Sequence, residues 1–382
     1  MNRGREIMLV VGEASGDMHG ASLVKALLKR DPNLTFFGVA GDQLQRTSFE
    51  TLFTVSKLTG MGLLELAGNI KNIIAAYRLL RRTLRTRRPS LLILIDFPEF
   101  NLRLARLAKK LAVPVLYYVS PQVWAWRRGR IREIAQVVDK MAVVFPFEVE
   151  FYDRHHVPVE FVGHPLLDVV RVSQKRESIL SELGLDKERP VIALLPGSRQ
   201  KEIAYHLPVM VAAATELKRV EQAQFFCVRA STLDRAELQK ELDRAGFVIP
   251  IVEGGRYNAV NAADLVWAAS GTATLETALL EKPMIVVYRV SWVTYWLARL
   301  LVKIKYIGIA NIIAGRPIVP ELVQSDLSPK RLVQESQAIL NDHDARRTMI
   351  ANLRMLREQL GAPGAANRVA ELAVSLMAPV KP

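Results

Sequence analysis

A stretch of small and hydroxylated residues, Ser270-Gly271-Thr272-Ala273-Thr274-Leu275-Glu276, follows the apolar run Leu265 to Ala269 and opens a segment of helical character. Small residues there let the backbone approach a ligand closely. The free N–H groups and positive dipole end of a helix N-terminus favour a phosphate. Ser270 and Thr272 add hydroxyl donors. Glu276, one helical turn further in, could accept hydrogen bonds from a ribose diol. The combination suits a nucleotide diphosphate, although a plain strand-to-helix turn with a serine N-cap would use similar residues. A second loop of this kind, Pro196-Gly197-Ser198-Arg199, follows the apolar run Val191 to Leu195. Two such loops in one half of the chain favour the ligand.

The first half carries a different set. Gly12-Glu13-Ala14-Ser15-Gly16-Asp17 follows an apolar run and precedes a helical pattern, without the GxGxxG spacing of a dinucleotide site. Glu13, Ser15 and Gly16 could meet a substrate headgroup; Ser15 or Asp17 could instead cap the helix. Asp96 ends the run Leu92 to Ile95, and an acid at the carboxyl end of a parallel strand is well placed for chemistry. Apolar neighbours would raise its pKa and make it a better base. Asn101 could cap the following helix, which frees Asp96. Further on, Gln122, Trp124 and Trp126 crowd one loop, and tryptophans there must pack on a substrate or on protein. None of the six histidines pairs at metal-ligand spacing, and one cysteine supports neither a disulfide framework nor a Cys-rich metal site. No metal and no cofactor are expected.

Elements must hold these loops. Continuous apolar runs at Ile7–Val11, Thr35–Val39, Leu91–Ile95, Val115–Val119, Lys140–Phe145, Val159–Val162, Val191–Leu195, Ala223–Val228, Leu265–Ala269 and Met284–Tyr288 read as buried parallel strands. Helical patterns lie between them, so doubly wound α/β domains are expected. At 382 residues the chain has room for two. The boundaries fall at residues 1–170 and 171–344, with a C-terminal helical part, 345–382, packing back on the first domain. Two such domains facing a cleft would hold ligands at the carboxyl ends of their strands.

Lysine and arginine number 52 against 38 acids, a formal net charge of +14 that suggests an anionic partner. Two acid-free stretches carry the surplus. Residues 66–95 hold Arg78, Arg81, Arg82 and Arg85 among apolar residues such as Ile70, Ile74 and Leu79, the pattern of a basic amphipathic helix. Residues 282–320 mix Trp292, Tyr295, Trp296, leucines and lysines, which suits a bilayer interface. With no nucleic-acid module in sight, an anionic membrane is expected rather than nucleic acid. The N-terminal apolar run is too short for a signal-peptide core and no run reaches the length of a membrane span, so a cytoplasmic or peripherally bound protein is expected.

Taken together, the motifs resemble those of the lipid-A-disaccharide synthase family of inverting GT-B glycosyltransferases. The resemblance rests on GEASGD at Gly12, GVAG at Gly38, MG at Met61, IDFPEFN at Ile95, YVSPQVWAWR at Tyr118, FPFE at Phe145, VGHPL at Val162, LLPGSR at Leu194, ASGTATLE at Ala269, PMIVVYR at Pro283 and NIIAGRPIVPEL at Asn311. These run in family order over nearly the whole chain. One departure is Glu99, where many members carry Asp, which leaves open whether that acid matters.

The resemblance implies transfer of the sugar of UDP-2,3-diacylglucosamine to the 6-hydroxyl of 2,3-diacylglucosamine 1-phosphate (lipid X). The products would be a β-1,6 disaccharide 1-phosphate and UDP. It makes Asp96 the general base, with Arg199 stabilising the leaving diphosphate beside Gly197, Ser198, Ser270, Gly271 and Thr272. It places Glu276 on the ribose and Asn311 against the donor, with Glu13, Ser15, Gly16, Gln122 and Trp124 on the acceptor side. It also implies a peripheral site on the inner membrane, a homodimer, and no metal cofactor. UDP-N-acetylglucosamine 2-epimerases share the architecture, and dependence on acyl chains would separate the two.

Overall fold

The computed structural model describes residues 5–58, 63–121, 123, 128–292, 294–296 and 305–377. It divides into two compact units, one running to Leu167 and resuming at Leu360, the other spanning Asp168–Gln359. In the first unit seven strands form one sheet: β1 (Glu6–Val11), β2 (Thr35–Ala40), β3 (Phe49–Thr54), β4 (Leu91–Ile95), β5 (Val115–Tyr118), β6 (Lys140–Val143) and β7 (Val159–Phe161). The order is β3-β2-β1-β4-β5-β6-β7, and every pairing is parallel. The second unit holds six strands: β8 (Val191–Leu195), β9 (Gln224–Val228), β10 (Ile251–Val252), β11 (Leu265–Ala269), β12 (Met284–Tyr288) and β13 (Glu321–Val323). Their order is β10-β9-β8-β11-β12-β13, again all parallel.

Central strands of such sheets are covered on both faces, so they tolerate apolar residues at every position. Ile7 to Val11 and Leu91 to Ile95 are accordingly buried without interruption. Three strands escape the apolar-run pattern: β3 with its polar Glu50 and Thr51, the two-residue β10 and the three-residue β13, all at sheet edges. An edge strand faces less protein and needs less apolar sequence.

Two boundaries differ from expectation. The first unit ends at Leu167 rather than at 170. Of the C-terminal part, the helix His343–Gln359 stays with the second unit, and only residues from Leu360 return to the first. The returning helix Ala365–Met377 buries Val369, Ala370 and Ala373 in the first unit's core, packed against the helix Ala14–Arg30. Its predecessor is held where it is by Arg354 and Arg357, which both pair with Glu281 in the second unit.

In each sheet the chain runs outward in two directions from one central point, between β1 and β4 and between β8 and β11. Crevices at the carboxyl ends of strands form at such reversals. The loops after β1 and β4, and those after β8 and β11, are four of those singled out above for chemistry.

Candidate active site

In the first unit the loop after β4 is wound into a rare conformation. Asp96 and Phe97 both adopt positive φ, at 52° and 47°. Non-glycine residues visit this region at a cost of order 1–3 kcal/mol each, and only where surrounding structure imposes it. Here the imposing groups are visible. The Asp96 carbonyl accepts hydrogen bonds from Asn101 Nδ2 at 2.6 Å and from the Tyr117 hydroxyl at 2.6 Å. Asn101 Nδ2 also donates to the Ile95 carbonyl at 3.2 Å. Phe97 lies so close over the β1 loop that a Cβ at Gly12 would fall 2.2 Å from the Phe97 Cβ, so only glycine fits there. Asn101 therefore does not cap its helix, as the sequence suggested; the helix starts at Pro98, and Asn101 clamps the end of β4 from inside it.

This clamp leaves the Asp96 carboxylate beside the start of the helix Ala14–Arg30, where a Cβ on Gly16 would lie 3.5 Å from Asp96 Oδ2. Burial, reinforced by the negative charge of Glu13, pushes the Asp96 carboxyl up to about 7. A carboxylate so poised holds a proton near neutrality and can remove one from a hydroxyl. Neither Ser15 nor Asp17 caps the helix: Glu13 is the N-cap residue, with no side-chain cap bond. Asp17 is instead buried, accepting the backbone N–H groups of Gly41, Gln43 and Leu44. Ser15 is partly exposed and Glu13 exposed at the same mouth. Glu99 pairs with Arg130 at 2.8 Å. Gln122 and Trp124 lie outside the described residues.

One side chain near the mouth carried no sequence signal. His19, one turn beyond Gly16, is buried, and desolvation lowers its pKa to about 4. Its ring lies 6.2 Å from that of Tyr118 at the end of β5. His164 is held lower still, at about 3, by burial and by His19. Both imidazoles are neutral at pH 7. An isolated histidine carries no spacing from which a role can be read.

In the second unit β8 and β11 are hydrogen-bonded neighbours, with Leu195 opposite Ala268, so their loops emerge side by side. The loop after β8 is braced: Ser198 donates its N–H to Glu202 Oε2 at 2.8 Å, and Thr232 Oγ1 donates to the Ser198 carbonyl at 2.7 Å. His206 lies 2.7 Å from the Pro196 carbonyl through Nδ1 and accepts the Arg289 N–H at Nε2. An acceptor at Nε2 requires the proton on Nδ1, and burial lowers the pKa so that this neutral form persists. Gly197 sits inside this frame. The Arg199 side chain is 70% exposed, with one loose contact to Glu202 at 3.5 Å.

After β11, Ser270 Oγ donates to the Ile307 carbonyl at 3.0 Å. Its hydroxyl proton is thus spent on structure rather than free for a phosphate. Gly271 has φ 147° and ψ −162°, a region essentially reserved for glycine, and it forms the N-cap of the helix Thr272–Leu279. Nothing lies within 4 Å of where its Cβ would be. Among the described residues no protein acceptor takes the N–H groups of Gly271, Thr272 and Ala273. Donors left without protein acceptors at a helix start are the kind of group that favours an anion. Glu276 is buried one turn in, and one of its oxygens takes both Arg256 Nη2 and the Tyr257 hydroxyl.

Asn311 departs from expectation. It is buried and saturated: Nδ2 donates to the Val319 carbonyl and Glu321 Oε1, and Oδ1 accepts from the Ile318 and Val319 N–H groups. No hydrogen-bonding capacity remains for a donor substrate. Its role is to fasten the helix Ile309–Ala314 to the residues leading into β13. Replacing it by alanine should lower stability by roughly 3 kcal/mol, because several buried partners lose their bonds together. Denaturant unfolding measures this, and nucleotide affinity per folded molecule should be unchanged.

On the helix Leu63–Arg87, Ala76, Leu80 and Leu84 face the core. Arg78, Arg81, Arg82 and Arg85 are exposed together with Ile70, Ile74 and Leu79. Trp292 and Trp296 are 56% and 58% exposed, joined by Tyr295 in edge-on contacts. Among the described residues no helix is long and apolar enough to cross a membrane, and no group of three or more His, Cys, Asp or Glu could hold a metal ion.

Comparison with known proteins is consistent along the whole length. The model of the lipid-A-disaccharide synthetase family matches residues 7–374. The lipid-A-disaccharide synthase of Syntrophus aciditrophicus is 44% identical over 97% of this chain and 97% of its own. That of Geobacter sulfurreducens is 43% identical over 98% of each. Solved structures of similar fold include the UDP-N-acetylglucosamine 2-epimerase of Neisseria meningitidis bound to UDP-GlcNAc, at TM-score 0.61 and 10% identity over 97% of this chain and 98% of that one. Another is MurG of Acinetobacter baumannii, at TM-score 0.60 and 14% identity over 97% and 99%. The two parallel sheets and these neighbours define a GT-B architecture.

Proposed function

Because this chain belongs to the lipid-A-disaccharide synthase family, and so is a glycosyltransferase of lipid A biosynthesis, we propose that it joins UDP-2,3-diacylglucosamine to lipid X. The observation that carries the chemistry is Asp96, a half-buried carboxylate raised to about 7 on a clamped turn at the strand reversal. Asp96 takes the proton of the lipid X 6-hydroxyl as that oxygen attacks the anomeric carbon of the donor sugar. The bond from that carbon to the UDP oxygen breaks, and the β-linked disaccharide 1-phosphate forms with inversion. The leaving diphosphate gathers charge, which the unpaired N–H groups at Gly271, Thr272 and Ala273 and the cation of Arg199 offset. No metal is required by this scheme. The direct test is incubation with both substrates and mass analysis of the lipid product. A disaccharide 1-phosphate appearing with UDP in equal amount supports the reading; consumption of UDP-N-acetylglucosamine in place of the acylated donor overturns it.

We further propose that the exposed basic helix face and the Trp292–Trp296 cluster meet an anionic membrane surface, from which acylated substrates would be drawn, on the cytoplasmic side. Each basic residue near such a surface contributes about 1 kcal/mol, screened by salt. Vesicles containing phosphatidylglycerol should bind the protein at low salt and release it at high salt. Changing Arg78, Arg81, Arg82 and Arg85 together to Gln should weaken that binding at least tenfold. Binding indifferent to both salt and the four substitutions would contradict the assignment.

A further inference from the structure

The carboxylate of Glu276 is not presented alone. Arg256 and Tyr257, about twenty residues upstream at the start of the helix Arg256–Ala262, close a three-membered chain upon it. Arg256 Nη2 donates to the Tyr257 hydroxyl at 2.7 Å, that hydroxyl donates to Glu276 Oε1 at 3.0 Å, and Arg256 Nη2 also bonds Oε1 directly. The guanidinium lies 4.8 Å over the Tyr257 ring, which holds its plane. All of this falls on one carboxylate oxygen. Among the described residues no protein donor bonds the other, Oε2. Burial alone would favour a protonated Glu276, and Arg256 and Tyr257 oppose that by charge and by hydrogen bonding.

A carboxylate fixed by one oxygen and open at the other suits a diol, which needs an ionised acceptor in a set orientation. Resting on the UDP reading above, we propose that Arg256 and Tyr257 are positioning residues that keep Glu276 ionised and aim Oε2 at the ribose, so that discrimination for ribose over deoxyribose depends on them. Neither touches the reacting atoms. Glu276 would use the geometry to distinguish nucleosides, and Arg256 and Tyr257 would supply it.

The test is calorimetric binding of UDP and of 2′,3′-dideoxy-UDP to the full chain and to the variants Arg256→Gln and Tyr257→Phe. The parent should prefer UDP by about tenfold or more, the scale of hydrogen bonds to a charged group. Arg256→Gln should bring that preference to within about twofold by weakening UDP alone. Tyr257→Phe should lower it in part, and it provides the test if Arg256→Gln fails to fold. A preference unchanged in a folded variant overturns the inference and leaves the UDP reading standing. Failure of the parent to bind UDP overturns the UDP reading itself. Equal loss of both nucleotides in both variants shows a merely structural role and also overturns the inference.

Discussion

Asp96→Asn should lower acceptor-dependent turnover about a thousandfold, the usual worth of a positioned general base, while leaving UDP affinity within twofold. Asn keeps the shape and backbone bonds of the turn but cannot take a proton. The same substitution should stabilise the fold at alkaline pH. Below about pH 4 the parent carboxyl is protonated folded or unfolded, and the two proteins match. Between about 4 and 7 the unfolded chain releases the proton and the folded chain keeps it, so the parent loses stability as pH rises. Above 7 the loss levels off at roughly 4 kcal/mol, following from the size of the shift. Asp96→Asn should therefore melt higher than the parent at pH 8, with the gap closing toward pH 4. Activity has the opposite dependence, since the ionised form is the base: the parent's rate should rise through pH 7 and then flatten. A variant that loses both turnover and UDP binding, with no gain in melting temperature, would assign Asp96 to structure.

Arg199→Gln should give the second-largest effect, a fall in turnover of about 100- to 1,000-fold, comparable to removal of one preorganised donor at a site of developing charge. The arginine is largely exposed and holds only a loose contact to Glu202, so its loss should leave the melting temperature within a degree or two. Since negative charge on the diphosphate grows as the glycosidic bond breaks, kcat should suffer more than the donor KM. Arg199→Lys should recover part of the rate, because charge survives and the two-pronged geometry does not. An unchanged kcat in Arg199→Gln would mean that the helix start at Gly271 neutralises the leaving group unaided.

Much of the frame was legible because parallel strands buried on both faces must be apolar throughout. That rule found β1, β2, β4, β5, β6, β7, β8, β9, β11 and β12, and with them the loops at both strand reversals. It missed β3, β10 and β13, whose edge positions relax the same demand. Asp96 was legible from its place at the end of Leu91–Ile95. Its left-handed turn was not, since phenylalanine gives no sign of positive φ and aspartate only a weak one; the turn is held by Asn101, Tyr117 and the bare backbone of Gly12. The bonds that hold Asn311 were not legible, because a polar side chain in a motif looks the same whether it meets a ligand or ties together its own loop. Arg256 and Tyr257 went unnoticed because their link to Glu276 exists only once β10 and β11 lie in one sheet. The pairing of Glu99 with Arg130 is likewise visible only in the tertiary structure.

Transfer through Asp96 is tested by release of UDP from UDP-2,3-diacylglucosamine, followed with and without lipid X across pH 5 to 9. Release should require lipid X and rise through a midpoint near pH 7, where Asp96 ionises. Release without lipid X, or a rate indifferent to pH over that span, would contradict transfer through Asp96.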